Sequence, residues 1–157
     1  MLCAMPELVP AILAAALGVA GGFWAARRID RLGARRGVYS AYIGAVELAG
    51  RALRMRLIAI RDEPNARPRP PMPDAGEVMG ALGEMLAVAP ADMMHNVERM
   101  QDQLRKMEIL ASRPSMADPD EITSQIKGFD DLREELVNRA RRQTGERALS
   151  KRAFRDY

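Results

Sequence analysis

The chain has 157 residues and a net charge of +3, with one cysteine, one histidine and only 4% aromatic residues. This length suits one modest domain, with or without a separate anchor. One cysteine excludes an internal disulfide. One cysteine and one histidine also exclude Cys/His zinc sites and leave nucleophile–base catalysis without a plausible core. Few aromatic residues argue against a base-stacking nucleic-acid surface. We therefore expect no cofactor, no metal, no catalytic residue, no nucleic-acid partner and no small-molecule substrate.

Charge is distributed unevenly along the chain. From Arg27 to Arg69 there are eleven arginines and four acidic residues. From Pro70 onward there are thirteen basic residues and sixteen acidic ones. A basic block beside a mildly acidic remainder indicates that an anionic surface lies close to the first part of the chain.

The first predicted element is the stretch LVPAILAAALGVAGGFWAA, residues 8–26, which carries no charge. As a helix it rises about 28 Å, close to the thickness of the hydrocarbon core of a bilayer. Positive charge follows the stretch and is absent before it. Because arginine-rich flanks stay on the cytoplasmic side, the pattern predicts a single transmembrane helix in a bacterial inner membrane, with the N-terminus outside and the remainder cytoplasmic. The flanking arginines are Arg27, Arg28, Arg31, Arg35 and Arg36.

Other interpretations of this region remain open. A secretion signal has its positive charge before the apolar run, and a soluble bundle could bury such a helix in its core. The five arginines fit a topology signal, and they also fit binding of anionic lipid headgroups, worth about 1 kcal/mol per arginine near the surface.

Small residues recur every fourth position along the run and therefore share one helix face. Such a face lets two helix backbones approach closely, which predicts dimerisation within the membrane. The alternative is that alanine and glycine are simply common in this stretch. The residues of this face are Ala14, Gly18, Gly22 and Ala26.

A basic amphipathic helix is predicted for residues 29–63, directly after the span. Five prolines then mark residues 64–73 as an extended linker. A proline-rich ligand for a partner's groove is the alternative interpretation of this linker.

Residues 74–145 carry three amphipathic patterns that prolines separate. Asp74 is the predicted N-cap of the first pattern. Asp118 is the predicted N-cap of the last pattern, and Pro119 follows it. The clustered methionines fit either an adaptable partner surface or core packing, and their spacing favours the core. In the middle pattern, apolar residues alternate by four and three, as in a helix-packing seam. These residues are Met93, Val97, Met100, Leu104 and Met107.

Together these elements predict an all-α protein, in which one N-terminal transmembrane helix is followed by a small antiparallel helical bundle. The predicted parts are an anchor (1–28), a juxtamembrane helix (29–63), a linker (64–73), a helical region (74–145) and a basic tail (146–157).

Three stretches resemble a loose group of uncharacterised bacterial, largely actinobacterial, single-pass membrane proteins. They are RRIDRLGARRGVYSAYIGAVELAGRAL, MLAVAPADMMHNVERM and FDDLREELVNRARRQTG. The resemblance covers most of the chain. It implies a span, an arginine-rich junction and a small cytoplasmic helical domain, and it implies no catalytic residue.

These features lead to the hypothesis of a non-enzymatic, membrane-anchored helical protein that acts as a scaffold or interaction module at the cytoplasmic face. Its expected partners are the lipid bilayer and either a second copy or another protein. The alternative is an envelope-acting accessory protein of phage or toxin type, which the glycine-rich span and the small size permit.

Overall fold

The computed structural model describes the backbone of residues 8–65, 67–114 and 117–150, and the side chains of these residues from Leu32 onward. Within them the chain forms helices and no strand, which confirms the all-α fold class. The chain divides into two compact units, Met1–Ala34 and Arg35–Tyr157. The helices are α1 (Leu8–Asp62), α2 (Ala75–Val88), α3 (Ala91–Ser112) and α4 (Pro119–Gln143).

In the first unit, the backbone of residues 8–34 is helical throughout. Three predicted features lie outside the residues whose side chains are described. They are the uncharged run 8–26, its small-residue face at Ala14, Gly18, Gly22 and Ala26, and the arginines Arg27, Arg28 and Arg31. Among the residues with described side chains (32–65, 67–114 and 117–150), no helix has both the length and the apolar character needed to cross a bilayer.

Local sequence signals set the ends of the helices in the second unit. The Asp74 carboxylate accepts a hydrogen bond from the Gly76 backbone N–H at 2.8 Å. The Asp118 carboxylate accepts one from the Asp120 N–H at 3.1 Å, and Pro119 is the first residue of α4. Both predicted N-caps are therefore confirmed, and each satisfies a backbone donor that the helix itself leaves free.

Cross-helix contacts give the directions of the helices within the second unit. α3 and α4 run antiparallel, since Arg139 donates to Asp92 at 3.2 Å near one end and Gln103 donates to Gln125 at 2.8 Å further along. α1 and α3 run parallel, since the Gln101 amide donates to the Tyr42 hydroxyl at 2.8 Å and Arg56 donates to the Ala111 carbonyl at 3.1 Å.

α1 is also antiparallel to α4. Arg36 pairs with Glu146 at 3.0 Å, and Arg61 lies 3.4 Å from the Thr123 hydroxyl at the other end of the pair. Two residues connect α2 to α3, and Val78 of α2 lines the same cavity as Leu104 of α3. The second unit is thus a helical bundle that includes residues 35–62 of α1.

One apolar core joins the four helices of this bundle. All five residues of the predicted α3 seam lie in it, and none is more than 7% exposed. α2 contributes Val78 and Met85, and α4 contributes Ile122, Phe129, Leu136 and Ala140. Each large side chain buried in this way stabilises the fold by about 1.5–3 kcal/mol. The α1 stripe consists of Tyr39, Tyr42, Val46, Ala49, Leu53, Leu57 and Ile60.

α1 and α4 come into close contact at Gly50. A Cβ atom at this position would lie 2.6 Å from the Cε1 and Cε2 atoms of the Phe129 ring, inside van der Waals contact. Arg54 and Asp130 form an ion pair beside this contact. The absence of a side chain at Gly50 is what lets the aromatic ring lie against the α1 backbone.

Candidate functional site

A cavity of about 220 Å³ lies between α1 and α4, at the end of the bundle where α4 finishes. We refer to it as the α1–α4 cavity. Ile43, Val137 and Ala140 form its apolar wall. Its polar lining comes from Arg36, Tyr39, Ser40, Arg141, Thr144 and Glu146.

The turn that follows α4 brings Glu146 to this cavity. Gly145 has a φ angle of +77°, in the left-handed region that a glycine adopts without strain. The Gly145 N–H donates to the Arg142 carbonyl at 3.2 Å, and the Glu146 N–H donates to the Arg141 carbonyl at 2.7 Å. This is a Schellman motif, which satisfies free carbonyls at the helix end and reverses the direction of the chain.

Glu146 links two arginines that are distant in sequence. Its Oε1 atom lies 3.0 Å from the Arg36 guanidinium, and its Oε2 atom lies 3.0 Å from that of Arg141. The Arg36 side chain is 70% exposed, whereas that of Glu146 is 24% exposed. Exposed ion pairs each contribute about 0.2–1 kcal/mol, so the contacts position the groups more than they stabilise the fold. Two guanidiniums share one carboxylate, which leaves a net positive charge at the cavity.

The chain beyond the turn is held against α4 by Asn138. The Leu149 N–H donates to the Asn138 Oδ1 atom at 2.7 Å, and the Asn138 amide donates to the Leu149 carbonyl at 3.3 Å. Asn138 is 9% exposed, so these bonds also satisfy a nearly buried amide. Glu146 and Leu149, in the first part of the predicted tail, therefore contact the bundle.

Two tyrosine hydroxyls of α1 lie in the core, in different surroundings. Tyr42 is fully buried and accepts the hydrogen bond from Gln101, whereas the buried hydroxyl of Tyr39 has no hydrogen-bond partner in the part of the chain that the structure describes. Burial raises the pKa of Tyr42, against the opposing effect of the Gln101 hydrogen bond. Burial also raises the pKa of Tyr39, with Arg35 opposing the shift and Asp92 adding to it.

The raised pKa of Tyr42 predicts a loss of stability at alkaline pH. The unfolded chain releases the phenol proton near pH 10, before the folded chain does, so the stabilisation is complete below about pH 10 and is lost as pH rises through the folded pKa. We expect Tyr42→Phe to cost about 1 kcal/mol at pH 8 through the lost hydrogen bond. The difference from the parent chain should narrow by pH 11.

Denaturant unfolding of both chains at pH 8, 10 and 11 checks this prediction. Tyr39→Phe is the matched variant, because it removes a buried hydroxyl that makes no hydrogen bond among the described residues. It should therefore not show the cost of a lost hydrogen bond at pH 8. If the parent and Tyr42→Phe lose stability in parallel between pH 8 and pH 11, the stated origin of the pH dependence is wrong.

A second cavity, of about 340 Å³, lies where α1, α2 and α3 meet. Ala49, Leu53, Val78 and Leu104 give it apolar walls. Its polar lining is mainly acidic, with Asp74, Asp102 and Glu108 against a single arginine, Arg105. The opening accommodates an apolar group and disfavours an anion.

Among the described residues of the bundle, four large apolar side chains are more than half exposed. Leu48 and Met55 lie seven residues apart on α1, and Met79 and Leu86 lie seven residues apart on α2. A spacing of seven places each pair on one side of its helix. On α1 that side points away from the buried stripe.

Of the five arginines that follow the uncharged run, Arg35 and Arg36 have described side chains, and Arg36 lines the α1–α4 cavity. The predicted seam residues pack in the core, and Leu104 among them also lines the second cavity. His95 is exposed on α3, and no three His, Cys, Asp or Glu side chains among the described residues come together to hold a metal ion.

Sequence reasoning missed Arg141, Glu146 and Asn138 as members of one site. The predicted helical region ends at residue 145, but nothing local in the sequence shows that the chain then returns towards α1. No protein-family model, no curated protein and no solved structure matches the chain.

Proposed function

We propose that the protein is a non-enzymatic, single-pass membrane protein whose helical bundle is an interaction module at the cytoplasmic face of a bacterial inner membrane. Residues 8–26 are the anchor, and the five arginines from Arg27 to Arg36 orient it. The second unit is the antiparallel bundle that partners contact. The resemblance of the chain to actinobacterial-type single-pass membrane proteins is part of the same proposal.

One observation supports the proposed membrane anchor. The 19-residue run without charge lies entirely within α1, and five arginines follow it. A helical backbone satisfies its own N–H and C=O groups, which a segment in hydrocarbon requires. The arginines come after the run and not before it, which supports a cytoplasmic bundle.

The exposed apolar side chains support the role of the bundle in protein contacts. Leu48 is 58% exposed and Met55 is 57% exposed, on the outer side of α1. Alanines at positions 45, 52 and 59 lie near this line and are half-buried. Large apolar side chains exposed on one side of a helix are typical of protein contacts.

Arginine substitutions within the run test the anchor. Leu13→Arg with Leu17→Arg introduces two charges near the middle of the proposed span, where each arginine strongly disfavours insertion. We expect the parent chain to stay in the membrane pellet after carbonate extraction and the double variant to leave it. Leu13→Ile with Leu17→Ile is the matched control and should stay in the pellet. A parent chain that carbonate extracts fully would contradict the proposal.

Self-association through the small-residue face is a separate part of the proposal. Replacing Gly18 and Gly22 by isoleucine adds bulk where two backbones would approach, so we expect fewer cross-linked dimers and unchanged membrane insertion. Unchanged dimer levels in a membrane cross-linking assay would remove the dimer from the proposal and leave the anchor in place.

A further inference from the structure

The end of the bundle that holds the α1–α4 cavity is strongly basic. Residues 35–40 and 138–150 contain six arginines and one glutamate. The nearby carboxylate of Asp92 accepts hydrogen bonds from Arg139 and Gln143, each at 3.2 Å. The arginines are Arg35, Arg36, Arg139, Arg141, Arg142 and Arg147.

The cavity has more hydrogen-bond donors than its own acceptors use. A guanidinium has five N–H donors, and Glu146 receives one nitrogen from Arg36 and one from Arg141. Arg141 also donates from Nε to the Arg147 carbonyl at 2.7 Å. Within the described part of the chain, the remaining N–H groups of both arginines have no other hydrogen-bond partner and are available to a bound anion.

Tyr39 provides an independent indication of a ligand. It lines the cavity, is 2% exposed, and its hydroxyl has no hydrogen-bond partner among the residues that the structure describes. A buried hydroxyl without a partner costs about 1–3 kcal/mol. A ligand oxygen that reached this hydroxyl from the cavity would remove that cost.

We propose that the α1–α4 cavity binds a phosphate ester. The phosphate oxygens accept hydrogen bonds from Arg36, Arg141 and the Tyr39 hydroxyl, and the organic part lies against Ile43, Val137 and Ala140. Guanidinium groups bind phosphate through paired, charge-assisted hydrogen bonds, which makes this class of anion the best match for the lining. The cavity volume of about 220 Å³ accommodates a phosphate with a glycerol-sized group.

Two sources could supply this chemistry, a lipid headgroup and a soluble phosphate ester. The choice of a lipid headgroup rests on the proposed function, because Arg36 follows the end of the proposed span by ten residues in sequence. Anionic headgroups also attract basic juxtamembrane segments electrostatically.

A titration of the full chain in an uncharged detergent tests the proposal. The probes are inorganic phosphate, dihexanoyl phosphatidic acid and dihexanoyl phosphatidylcholine, and the readouts are the dissociation constant and the shift in Tm. We expect phosphatidic acid to bind and to raise the Tm, and phosphatidylcholine to do neither. Arg141→Gln should weaken binding about tenfold or more, because it removes charged hydrogen bonds.

Two further variants separate binding from folding. Tyr39→Phe should be at least as stable as the parent chain, because it removes a hydroxyl without a partner in the described structure, yet it should bind phosphatidic acid more weakly. Arg113→Gln is the control, since Arg113 is exposed at the far end of α3, about 30 Å along the helix from Asp92. It should bind like the parent chain.

The outcomes distinguish the two sources. Binding of phosphatidic acid alone supports a lipid headgroup, and binding of inorganic phosphate as well supports a phosphate site open to soluble esters. Absence of binding, equal binding of phosphatidylcholine, or an unchanged affinity in Arg141→Gln would overturn the proposal. Because the titration is done in detergent, an absence of binding there does not contradict the membrane anchor. In the same way, a carbonate extraction that releases the parent chain does not contradict the phosphate site.

Discussion

Gly50→Ala is expected to lower the free energy of unfolding by about 1–3 kcal/mol, because the new methyl group overlaps the Phe129 ring. The direction is unusual for this substitution. Within a helix, alanine is normally preferred to glycine by about 0.5–1 kcal/mol. The loss therefore measures how closely α4 approaches the backbone of α1.

Gly44→Ala is the matched control for this prediction. Gly44 lies in the same helix and is exposed, and a methyl group added to its Cα atom would have no neighbouring atom within 4 Å. We expect this variant to be more stable than the parent chain by about 0.5–1 kcal/mol. Denaturant unfolding of the full chain in a neutral detergent gives both values.

A double-mutant cycle with Phe129→Leu tests the cause of the Gly50 effect. If the ring is the obstacle, the loss of unfolding free energy caused by Gly50→Ala should be at least 1 kcal/mol smaller in the Phe129→Leu background than in the parent chain. Such a comparison is good to about half a kcal/mol. Equal costs in both backgrounds, or a stabilising Gly50→Ala, would show that α1 and α4 do not pack as described.

Met100→Ala is expected to lower the free energy of unfolding by about 2–5 kcal/mol, since the side chain is fully buried at the centre of the α3 seam. That is a large share of the roughly 5–15 kcal/mol that stabilises a typical domain. Met79→Ala is the control. Its side chain is 59% exposed, so we expect a change within about 0.5 kcal/mol.

The comparison of Met100→Ala with Met79→Ala also distinguishes the two roles that the sequence allows for the clustered methionines, which are core packing and an adaptable partner surface. Met85, Met93, Met100 and Met107 are each 0% exposed, which supports core packing over an adaptable surface. Similar effects of Met100→Ala and Met79→Ala in thermal unfolding would contradict this assignment.

Much of the second unit could be predicted from sequence because its signals are local. Asp74 and Asp118 cap helices within two residues of themselves, and prolines at 90 and 119 mark the adjacent helix boundaries. The seam on α3 follows from a spacing of three and four, which any packed helix requires. These features depend on neighbours in sequence and not on the arrangement of the helices.

The pairing of helices could not be predicted in the same way. The contact of Gly50 with Phe129 joins residues 79 positions apart, and either residue alone has an ordinary interpretation. The predicted parts set residues 29–63 apart from the helical region 74–145, because residues 29–63 follow an apolar run and are rich in arginine. The structure places Tyr42 and Leu57 of that segment at the centre of the core.

The α1–α4 cavity was also beyond sequence reasoning. From sequence, Arg36 is one of the arginines that follow the uncharged run, and Glu146 begins the predicted basic tail. Their contact depends on the left-handed turn at Gly145 and on the hold of Asn138 on Leu149. A glycine after a helix predicts that the helix ends, but the direction of the chain beyond it depends on tertiary contacts.

The proposed function depends above all on residues 8–26 anchoring the chain in a membrane with the bundle on the cytoplasmic side. The most direct test fuses a reporter active only in the periplasm, and then one active only in the cytoplasm, after Tyr157 in living bacteria, with fractionation of the cells. We expect cytoplasmic activity that sediments with the membranes. Periplasmic activity, or reporter activity that stays in the supernatant, would contradict a membrane-anchored cytoplasmic bundle.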